Sequence, residues 1–360
     1  MSLITIIIPV YNVEKYIRQA LDSLVNQTLT DIEILCVVDC SPDNSISILK
    51  EYAKRDSRFK IIELDENMGQ GYARNIAIEK VTSEYFMFLD PDDWYELDTC
   101  EKAYNQISKN DNDFLIFDFS RFYAETSIIK LDSKYSETFN QLEKKFDINP
   151  KDCNFQFFLN AFVWNKIYKT SFIKENKILF STHRFLEDLP FSIKVFVLAN
   201  SFSFIPESLY FYRKKANENM TLNYTEYYSH VIDSHRENYL YVENSGNENL
   251  IKNYLVYTIK STLHWFDNFE KINKNIKNDF YRLLYSYFSL LNDENDISKL
   301  SKEINLKEYQ LIIKNKNLKN YDRIIFFRKV LKKLFSISNT SKGKILSFLF
   351  IEIILKKKDF

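Results

Sequence analysis

Residues 84–94 read Glu-Tyr-Phe-Met-Phe-Leu-Asp-Pro-Asp-Asp-Trp, an apolar run of strand length that ends in three acids around a proline. An apolar run bounded by a turn signal predicts a buried strand. Pro91 has no N–H to donate to a neighbouring strand, so the strand should end at about Asp90. Asp90, Asp92 and Asp93 would then meet at the carboxyl end of a central strand, where open α/β sheets bind ligands.

The three acids of this stretch would repel one another unless a cation or hydrogen-bond donors met them. Carboxylate oxygens are hard ligands that suit Mg²⁺ or Mn²⁺, and such ions are usually shared with the phosphates of a substrate. The acids therefore predict a divalent-cation site. The alternative is an acidic turn that caps a helix.

Composition places the chain among folded proteins with room for more than one domain. It has 360 residues, of which 45% are hydrophobic and 16% aromatic, and its formal net charge is zero. A neutral chain gives no electrostatic indication of nucleic-acid binding, and we expect none. The cysteines Cys36, Cys40, Cys100 and Cys153 lack zinc-site spacing, which predicts reduced thiols in a cytoplasmic protein. We expect neither a signal peptide nor a membrane-spanning helix.

Short apolar runs alternate with helical periodicity along the first third of the chain. Strands are predicted at residues 3–8, 32–38, 59–64, 85–89 and 114–117, with shorter ones at 203–205 and 209–212. Strands that alternate with helices through short connections predict a parallel, doubly wound sheet. Right-handed crossovers would bring the loops after the strands to one edge, where they would form a nucleotide-binding cleft. Those loops are residues 9–12, 39–43, 67–71 and 90–93.

The middle of the chain gives weaker patterns. Residues 119–154 predict an irregular insertion, and residues 155–180 a mostly helical segment. From about residue 225 onward the periodicity is helical. We therefore predict an α/β catalytic domain at residues 1–220 and a helical C-terminal region at residues 221–360.

Five motifs follow one another along residues 3–213. They read IIIPVYN at 6–12, VVDCSPDNS at 37–45, NMG at 67–69 followed by ARN at 73–75, FLDPDDW at 88–94, and ED at 187–188. In this order and spacing they resemble the family 2 glycosyltransferases of GT-A fold. The resemblance implies an enzyme that moves a sugar from a nucleotide diphosphate to an acceptor hydroxyl.

The resemblance also implies which residues bind the nucleotide-sugar donor. They are Pro9, Tyr11, Asn12, Asp39, Arg74, Asp90, Asp92, Asp93 and Arg213. Asp39 matches the acid that contacts the donor base, and a carboxylate can accept the imide N–H of uracil, which favours a UDP-sugar. The alternative for Asp39 is a turn or cap role. Cys40 departs from the glycine that the family often has at this position.

Charged residues of the later motifs are implied to act on the diphosphate. Arg74 would steady the diphosphate or hold an acid of the metal cluster, unless it lies on a solvated helix face. Asp90 and Asp92 match the Asp-x-Asp motif, which contacts ribose and the divalent cation, and Asp92 is favoured as the direct ligand. The cation, Mn²⁺ or Mg²⁺, would stabilise the departing nucleoside diphosphate.

Glu187 and Asp188 match the catalytic acid pair of the family. Asp188 is expected to take the proton of the acceptor hydroxyl as general base. Direct attack on the sugar would then invert its anomeric centre. The alternative is an acid pair that faces the dipole at a helix N-terminus.

Residues Trp164, Asn165 and Lys166 resemble a motif of bacterial members that act on surface polysaccharides. They are predicted to line the acceptor site, the alternative being a core tryptophan with surface neighbours. Basic and apolar residues interleave at 323–335, which predicts an amphipathic helix suited to an anionic membrane surface; a helical bundle is the alternative. We therefore expect peripheral contact with the cytoplasmic face of the inner membrane, and a glycan or lipid-linked glycan as acceptor.

Two other functions use similar residues. A nucleotidyltransferase would also need acids and Mg²⁺, but its first loop is usually rich in Gly, Lys and Arg, unlike Pro9-Val10-Tyr11-Asn12. A non-catalytic scaffold that binds glycans or partner proteins would be signalled by loss of the acids, which are intact. Metal-dependent, inverting sugar transfer in capsule, lipopolysaccharide or O-antigen synthesis is the prediction.

Overall fold

The computed structural model describes residues 2–132, 146–150, 162–214 and 228–248, and singly residues 250, 251, 254, 257, 258 and 261. The chain divides into two compact units, Met1–Asn247 and Glu248–Phe360. The described positions of the second unit are all helical. The predicted domain boundary at residue 220 stays a prediction, and the basic helix predicted at 323–335 lies outside the described residues.

The first unit holds the strands and most of the described helices. The strands are β1 Ile4–Val10, β2 Ile32–Val38, β3 Phe59–Glu63, β4 Tyr85–Phe88, β5 Trp94–Tyr95, β6 Phe114–Tyr123, β7 Ile128–Asp132, β8 Lys166–Lys169 and β9 Phe202–Lys214. The helices are α1 Ile17–Val25, α2 Ser45–Arg55, α3 Gln70–Lys80, α4 Thr99–Asn110, α5 Thr170–Glu175, α6 Asp188–Leu198 and α7 Tyr228–Asn244. None of the helices in the described ranges is long and apolar enough to cross a membrane.

The strands form one mixed sheet in the order β3-β2-β1-β4-β8-β6-β9-β5, with β7 pairing β6. Strands β3, β2, β1 and β4 are parallel, as predicted. All residues of β1 and β4 are buried, because helical crossovers bury the faces of parallel strands and select continuous apolar runs. This parallel block is the half of the sheet whose strand ends carry the predicted donor loops.

Pro9 lies inside β1, opposite Val37, and does not end the strand as its lack of an N–H suggests. The reason is local. Strand β4 pairs β1 only as far as Ile7, opposite Phe88, and the next bond on that side runs from Leu89 N to Ile7 O. Alternation along the strand turns Pro9 toward the same side, beyond the end of β4, so no ladder bond is lost there.

The second half of the sheet differs from the sequence prediction. Residues 166–169, expected in a helical segment, form β8, which lies antiparallel between β4 and β6. Ile167 pairs Met87 on one side and Leu115 on the other. A short apolar run cannot be assigned by periodicity alone, and pairing with two neighbours decides it.

The expected irregular insertion after residue 119 begins as a β-hairpin. Strand β6 continues to Tyr123 and pairs β7 antiparallel. The two short strands predicted at 203–212 are one strand, β9, which runs parallel to β6 with a register shift near Asp118. A bulge of this kind bends a strand without ending it, and the sequence pattern then reads as two pieces.

Candidate active site

The loops that follow β1, β2 and β3 meet at the carboxyl edge of the parallel strands. Asn12 N donates to Ser41 Oγ at 2.8 Å, which joins the first loop to the second. Asp39 accepts from Met68 N at 2.7 Å and Gly69 N at 2.8 Å, which joins the second loop to the third. The predicted convergence of these loops on one edge is confirmed.

Asp39 is buried at 2% exposure, and each of its oxygens receives one of these backbone N–H groups. A carboxylate oxygen can accept more than one bond, so both remain able to take a further donor. The next residue, Cys40, has a φ of +52°. That left-handed conformation favours glycine, so Cys40 holds a backbone conformation that a residue with a side chain adopts less readily.

Of the other predicted donor residues in the first loop, Pro9 is buried inside β1. Tyr11, by contrast, is 46% exposed. Asn12 has a φ of +53°, a conformation that asparagine tolerates better than most residues. The turn therefore leaves an exposed aromatic ring directly beyond the buried strand.

Arg74 lies on α3 and is buried at 2% exposure. Its Nη2 is 2.8 Å from Asp90 Oδ1, and its Nη1 is 3.2 Å from Glu187 Oε1. The guanidinium also lies 5.2 Å from the centre of the Phe180 ring. Burial rules out the solvated helix face considered above. One cation thus links the acid at the end of β4 to the acid before α6.

The start of α3 fits closely against the segment that carries Glu187. Gln70 Nε2 donates to Glu187 Oε1 at 2.5 Å. A Cβ added to Gly71 would lie 2.8 Å from the Ser181 carbonyl oxygen and 2.9 Å from Glu187 Cγ. Only glycine fits such an approach without displacement.

Asp188 is the first residue of α6. Burial raises its pKa to about 7, and the neighbouring charges of Glu187 and Asp90 add to the rise, while Arg74 opposes it. A carboxyl group with this pKa is a suitable proton acceptor near neutral pH. The role of Asp188 as general base stays a prediction, and so does its alternative, an acid at a helix N-terminus.

Two of the three acids after β4, Asp90 and Asp93, have different surroundings. Asp90 pairs with Arg74, and its pKa is raised by burial despite that cation, with Asp92 and Glu187 adding to the rise. Asp93 is buried at 1% exposure and accepts from Tyr210 Oη and from Arg213 N, both at 2.7 Å. Its pKa is raised well above the usual range by burial. The carboxylate of Asp93 thus accepts hydrogen bonds from two residues of β9, and neither of its oxygens is open to solvent.

The donor set can be tested against the predicted divalent cation. Within the described ranges, no three or more Asp, Glu, His or Cys side chains are grouped so that they could hold a metal ion by themselves. A pair of carboxylates that leaves the remaining positions to water and substrate phosphates is usual for Mg²⁺. A cation would also relieve the repulsion that Asp92 and Glu187 each exert on Asp90. The residues present fit the ion.

Comparison with known proteins agrees with the motifs. The sequence profile described as "Glycosyl transferase family 2" matches residues 5–220. The chain belongs to this family. The family predicted from the sequence is confirmed.

Two relatives of this family 2 chain illustrate the similarity. EpsH of Bacillus subtilis (strain 168), named as a glycosyltransferase, is 36% identical over 213 residues, which are 58% of this chain and 60% of EpsH. The poly(ribitol-phosphate) beta-glucosyltransferase of Bacillus spizizenii is 35% identical over 226 residues, 61% of this chain and 34% of that protein. This chain thus matches less than two thirds of the length of either relative.

A solved structure extends the comparison to the fold of this family 2 chain. Residues 1–349 of Staphylococcus aureus TarS, crystallised with UDP, superpose with a TM-score of 0.69 at 21% sequence identity, over 92% of this chain and 90% of the other. The GT-A fold predicted from the sequence is confirmed.

The acceptor motif of the family 2 chain is buried. Trp164 is 4% exposed and stacks on Tyr210 with ring centres 4.2 Å apart. Asn165 has no exposed surface and donates from Nδ2 to the Phe117 carbonyl at 3.0 Å. Both side chains are therefore internal, as the core alternative expects of Trp164. Their predicted contact with an acceptor stays a prediction.

Lys166 is buried as well, and its ammonium group donates to Asn165 Oδ1 at 3.0 Å and to the Phe162 carbonyl. Burial lowers its pKa to about 7, while the charge of Asp188 opposes the fall. The lysine therefore belongs to the electrostatic surroundings of the expected base. Its predicted contact with an acceptor stays a prediction.

Sequence reasoning missed two contributors to the site. Gln70 and Gly71 begin α3 and contact Glu187 directly. The chain has only four glycines, and two of them, Gly69 and Gly71, fall in the segment 67–71 that the sequence predicts as a loop. A glycine is ordinary in a loop, so the sequence carries no separate sign that Gly71 packs closely against Glu187.

Proposed function

We propose that this chain transfers a sugar from a UDP-sugar to a hydroxyl of a glycan, with inversion at the anomeric carbon and with a divalent cation. The observation that carries the proposal is the arrangement around Arg74. A single buried guanidinium joins Asp90, at the donor end, to Glu187, which precedes Asp188. The expected leaving-group site and the expected base are thereby held in one network.

The choice of a uracil nucleotide rests on two observations. Asp39 is fixed by the third loop and retains acceptor capacity for an imide N–H. TarS, which shares the fold, has been solved with UDP and with UDP-GlcNAc. Tyr11, exposed at the same edge, offers a ring to the base or ribose.

Asp92 and Asp90 are the residues that would hold the cation, Mn²⁺ or Mg²⁺. When bound, the ion neutralises negative charge on the diphosphate that leaves. Arg74 keeps Asp90 in place through its 2.8 Å ion pair. Asp93 supports the same turn from the interior, through its bonds to Tyr210 and Arg213.

Asp188 is the proposed catalytic base. Its carboxylate takes the proton of the acceptor hydroxyl as that oxygen bonds to the anomeric carbon. The bond from this carbon to the diphosphate oxygen breaks on the opposite face, and its electron pair leaves with the nucleotide. Attack from the face opposite the leaving group inverts the centre in one displacement, so no enzyme nucleophile is required.

The acceptor is proposed to be a glycan or lipid-linked glycan of a bacterial surface polysaccharide. The names of the relatives support this class, since two of them act on poly(ribitol-phosphate). Peripheral contact with the cytoplasmic face of the membrane belongs to the same proposal and rests on the basic pattern at residues 323–335.

Thermal unfolding with UDP, GDP, CDP and dTDP, each with and without Mn²⁺, tests the donor site. A ligand that binds only the folded state stabilises it by about 2.7 kcal/mol at a hundredfold excess over Kd. We expect the largest rise in melting temperature with UDP and Mn²⁺ together, and we expect Asp92→Ala to abolish the part that needs Mn²⁺. Asp31→Ala is the matched control. Asp31 is an exposed acid directly before β2, and the candidate site lies at the other end of β2, where Asp39 follows the strand.

The outcomes separate the functions considered. If no nucleotide stabilises the folded wild-type protein, the donor site is refuted and a non-catalytic scaffold is favoured. If UDP binds and UDP-sugar is turned over by the wild type, but turnover is lost in Asp188→Asn with UDP binding intact, the scaffold is refuted. Release of pyrophosphate from a nucleoside triphosphate would instead indicate a nucleotidyltransferase.

A further inference from the structure

Arg213, near the end of β9, lies among three aromatic rings from different parts of the fold. Its guanidinium carbon is 4.9 Å from the centre of the Trp94 ring and 5.3 Å from those of Tyr16 and Phe122. Trp94 in turn stacks on Phe211 at 5.1 Å. A planar cation enclosed by aromatic faces is held in one orientation by packing and by cation–π attraction.

The hydrogen bonds of Arg213 lead to the turn that follows β4. Its Nε donates to the Asp92 carbonyl at 2.7 Å, and its backbone N–H donates to Asp93 Oδ1 at 2.7 Å. Its Nη2 donates to Gln19 Oε1, on α1, at 2.5 Å. Arg213 therefore donates hydrogen bonds to two consecutive residues of the turn, Asp92 and Asp93. Its own side chain is held by Gln19 of α1 and by the aromatic rings.

We infer that Arg213 is a positioning residue that orients Asp92 for the divalent cation, and that it does not bind the diphosphate. The inference rests on the proposed function, because Asp92 is the proposed ligand. A bond to the Asp92 carbonyl fixes the peptide plane on which the carboxylate direction depends. Groups behind a metal ligand control affinity by fixing its orientation, and their loss typically costs about 10–100-fold in metal affinity.

Lysine cannot replace arginine in this role. Its ammonium group is a single point of charge without a plane, so it cannot donate from two separate nitrogens to Asp92 and Gln19 while stacked between rings. Arg213→Lys therefore keeps the positive charge and removes the geometry. This separates positioning from simple charge attraction to a phosphate.

The test measures UDP binding by thermal shift or calorimetry while Mn²⁺ is titrated. For Arg213→Lys we expect the Mn²⁺ concentration at half-maximal effect to rise roughly tenfold or more. UDP affinity without metal should be unchanged, and saturating Mn²⁺ should restore wild-type binding. Arg121→Lys is the matched control, because Arg121 lies on the neighbouring strand β6, over the Phe119 ring at 5.9 Å and paired with Asp132 at 2.5 Å.

Each other result has a defined meaning. An unchanged Mn²⁺ midpoint in Arg213→Lys overturns the inference. A loss of metal-free affinity for UDP that exceeds the loss for UMP also overturns it, since it would indicate direct contact with the diphosphate. If Arg213→Lys does not fold, Gln19→Ala is the second test, because it removes only the hydrogen bond from Arg213 to Gln19. It should raise the Mn²⁺ midpoint by a smaller factor, and an unchanged midpoint would refute the inference. Absence of metal-dependent UDP binding in the wild type refutes the proposed function itself.

Discussion

Arg74 is a charged residue whose burial is balanced by two acids. Its guanidinium lies between Asp90 and Glu187, so the acid that follows β4 and the acid that precedes α6 share one cation. Burial alone would lower the pKa of Arg74, but the acids around it raise it. Removing one partner of a buried ion pair leaves an uncompensated charge and typically costs about 3–5 kcal/mol.

Arg74→Lys tests whether both contacts of the bridge are needed. A lysine ammonium can reach one acid, but it lacks the fork that spans two. We expect kcat to fall by about 10²-fold with a smaller change in the donor KM, because a displaced Asp188 affects the chemical step more than binding. Steady-state kinetics of Arg74→Lys beside Arg18→Lys, an exposed arginine paired with Glu51, would show it. Equal kinetics for the two variants would refute the bridge.

The raised pKa of Asp188 predicts the pH dependence of the reaction. A base must be deprotonated, so kcat/KM should increase with pH up to about 7 and then level off. A bound cation stabilises the carboxylate, so a higher Mn²⁺ concentration should move this rise of kcat/KM to lower pH. Asp188→Asn should lower kcat by about 10²–10⁴-fold, and its kcat/KM should no longer rise with pH in this range. A pH profile that is the same in wild type and variant would contradict the assignment.

At this scale the sequence predicts the residues better than their partners. Asp39, Arg74 and Asp90 all come from ordered motifs. The structure places Arg74 against Asp90 and Glu187, and Asp39 against the third loop, while their functional roles stay predictions. The destination of Asp93 could not be predicted, because its partners are on β9, far along the chain. Long-range pairing leaves no mark in the local pattern around a residue.

Gly71 governs how closely α3 approaches the segment that precedes α6. Gly71→Ala should improve helix propensity by up to about 1 kcal/mol, but its Cβ would meet the Ser181 carbonyl oxygen at 2.8 Å. We expect a net destabilisation of about 1–3 kcal/mol and a lower kcat, since the adjacent Glu187 must move. Glu79→Ala, at the exposed end of the same helix, controls for propensity in denaturant unfolding. If Gly71→Ala is stabilised and fully active, the segment that carries Ser181 and Glu187 moves aside at no cost, and the prediction is wrong.

The elements of the parallel block were predictable, because continuous apolar runs and short crossovers carry their own pattern. Strand β8 was not predictable, because Lys166–Lys169 forms a strand only by pairing with β4 on one side and β6 on the other. The β6–β7 hairpin was missed for a related reason. Ile128, Ile129 and Leu131 are exposed, so burial does not impose an alternating pattern on β7.

The molecule as a whole carries a stability cost for its acid cluster. In the folded state the pKa of Asp188 is raised, so the folded protein binds more protons than the unfolded chain between about pH 4 and pH 7. Stability is then greater at low pH and is lost as pH rises through the folded pKa. A site with buried, mutually repelling acids is stabilised less than its packing would allow.

Asp188→Asn should therefore be more stable than the wild type above pH 7, by about 1–3 kcal/mol, because the amide removes a half-buried charge that lies near other acids. The difference should vanish near pH 4, where Asp188 is protonated. Chemical denaturation at pH 4.5 and pH 8, without metal, measures it. A variant that is equally stable or less stable at pH 8 would contradict the raised pKa.

The place of β8 in the sheet also has a consequence for synthesis. The edge of β4 that β8 covers belongs to Tyr85–Phe88, all buried aromatic or sulfur-containing residues. During translation this edge stays open until Lys166–Lys169 has been made, which at about 5–20 residues per second takes on the order of ten seconds. An unpaired apolar strand is a template for aggregation. The nascent chain thus has a defined interval in which it needs a chaperone or its own later residues, and a product that ends before residue 166 should be insoluble.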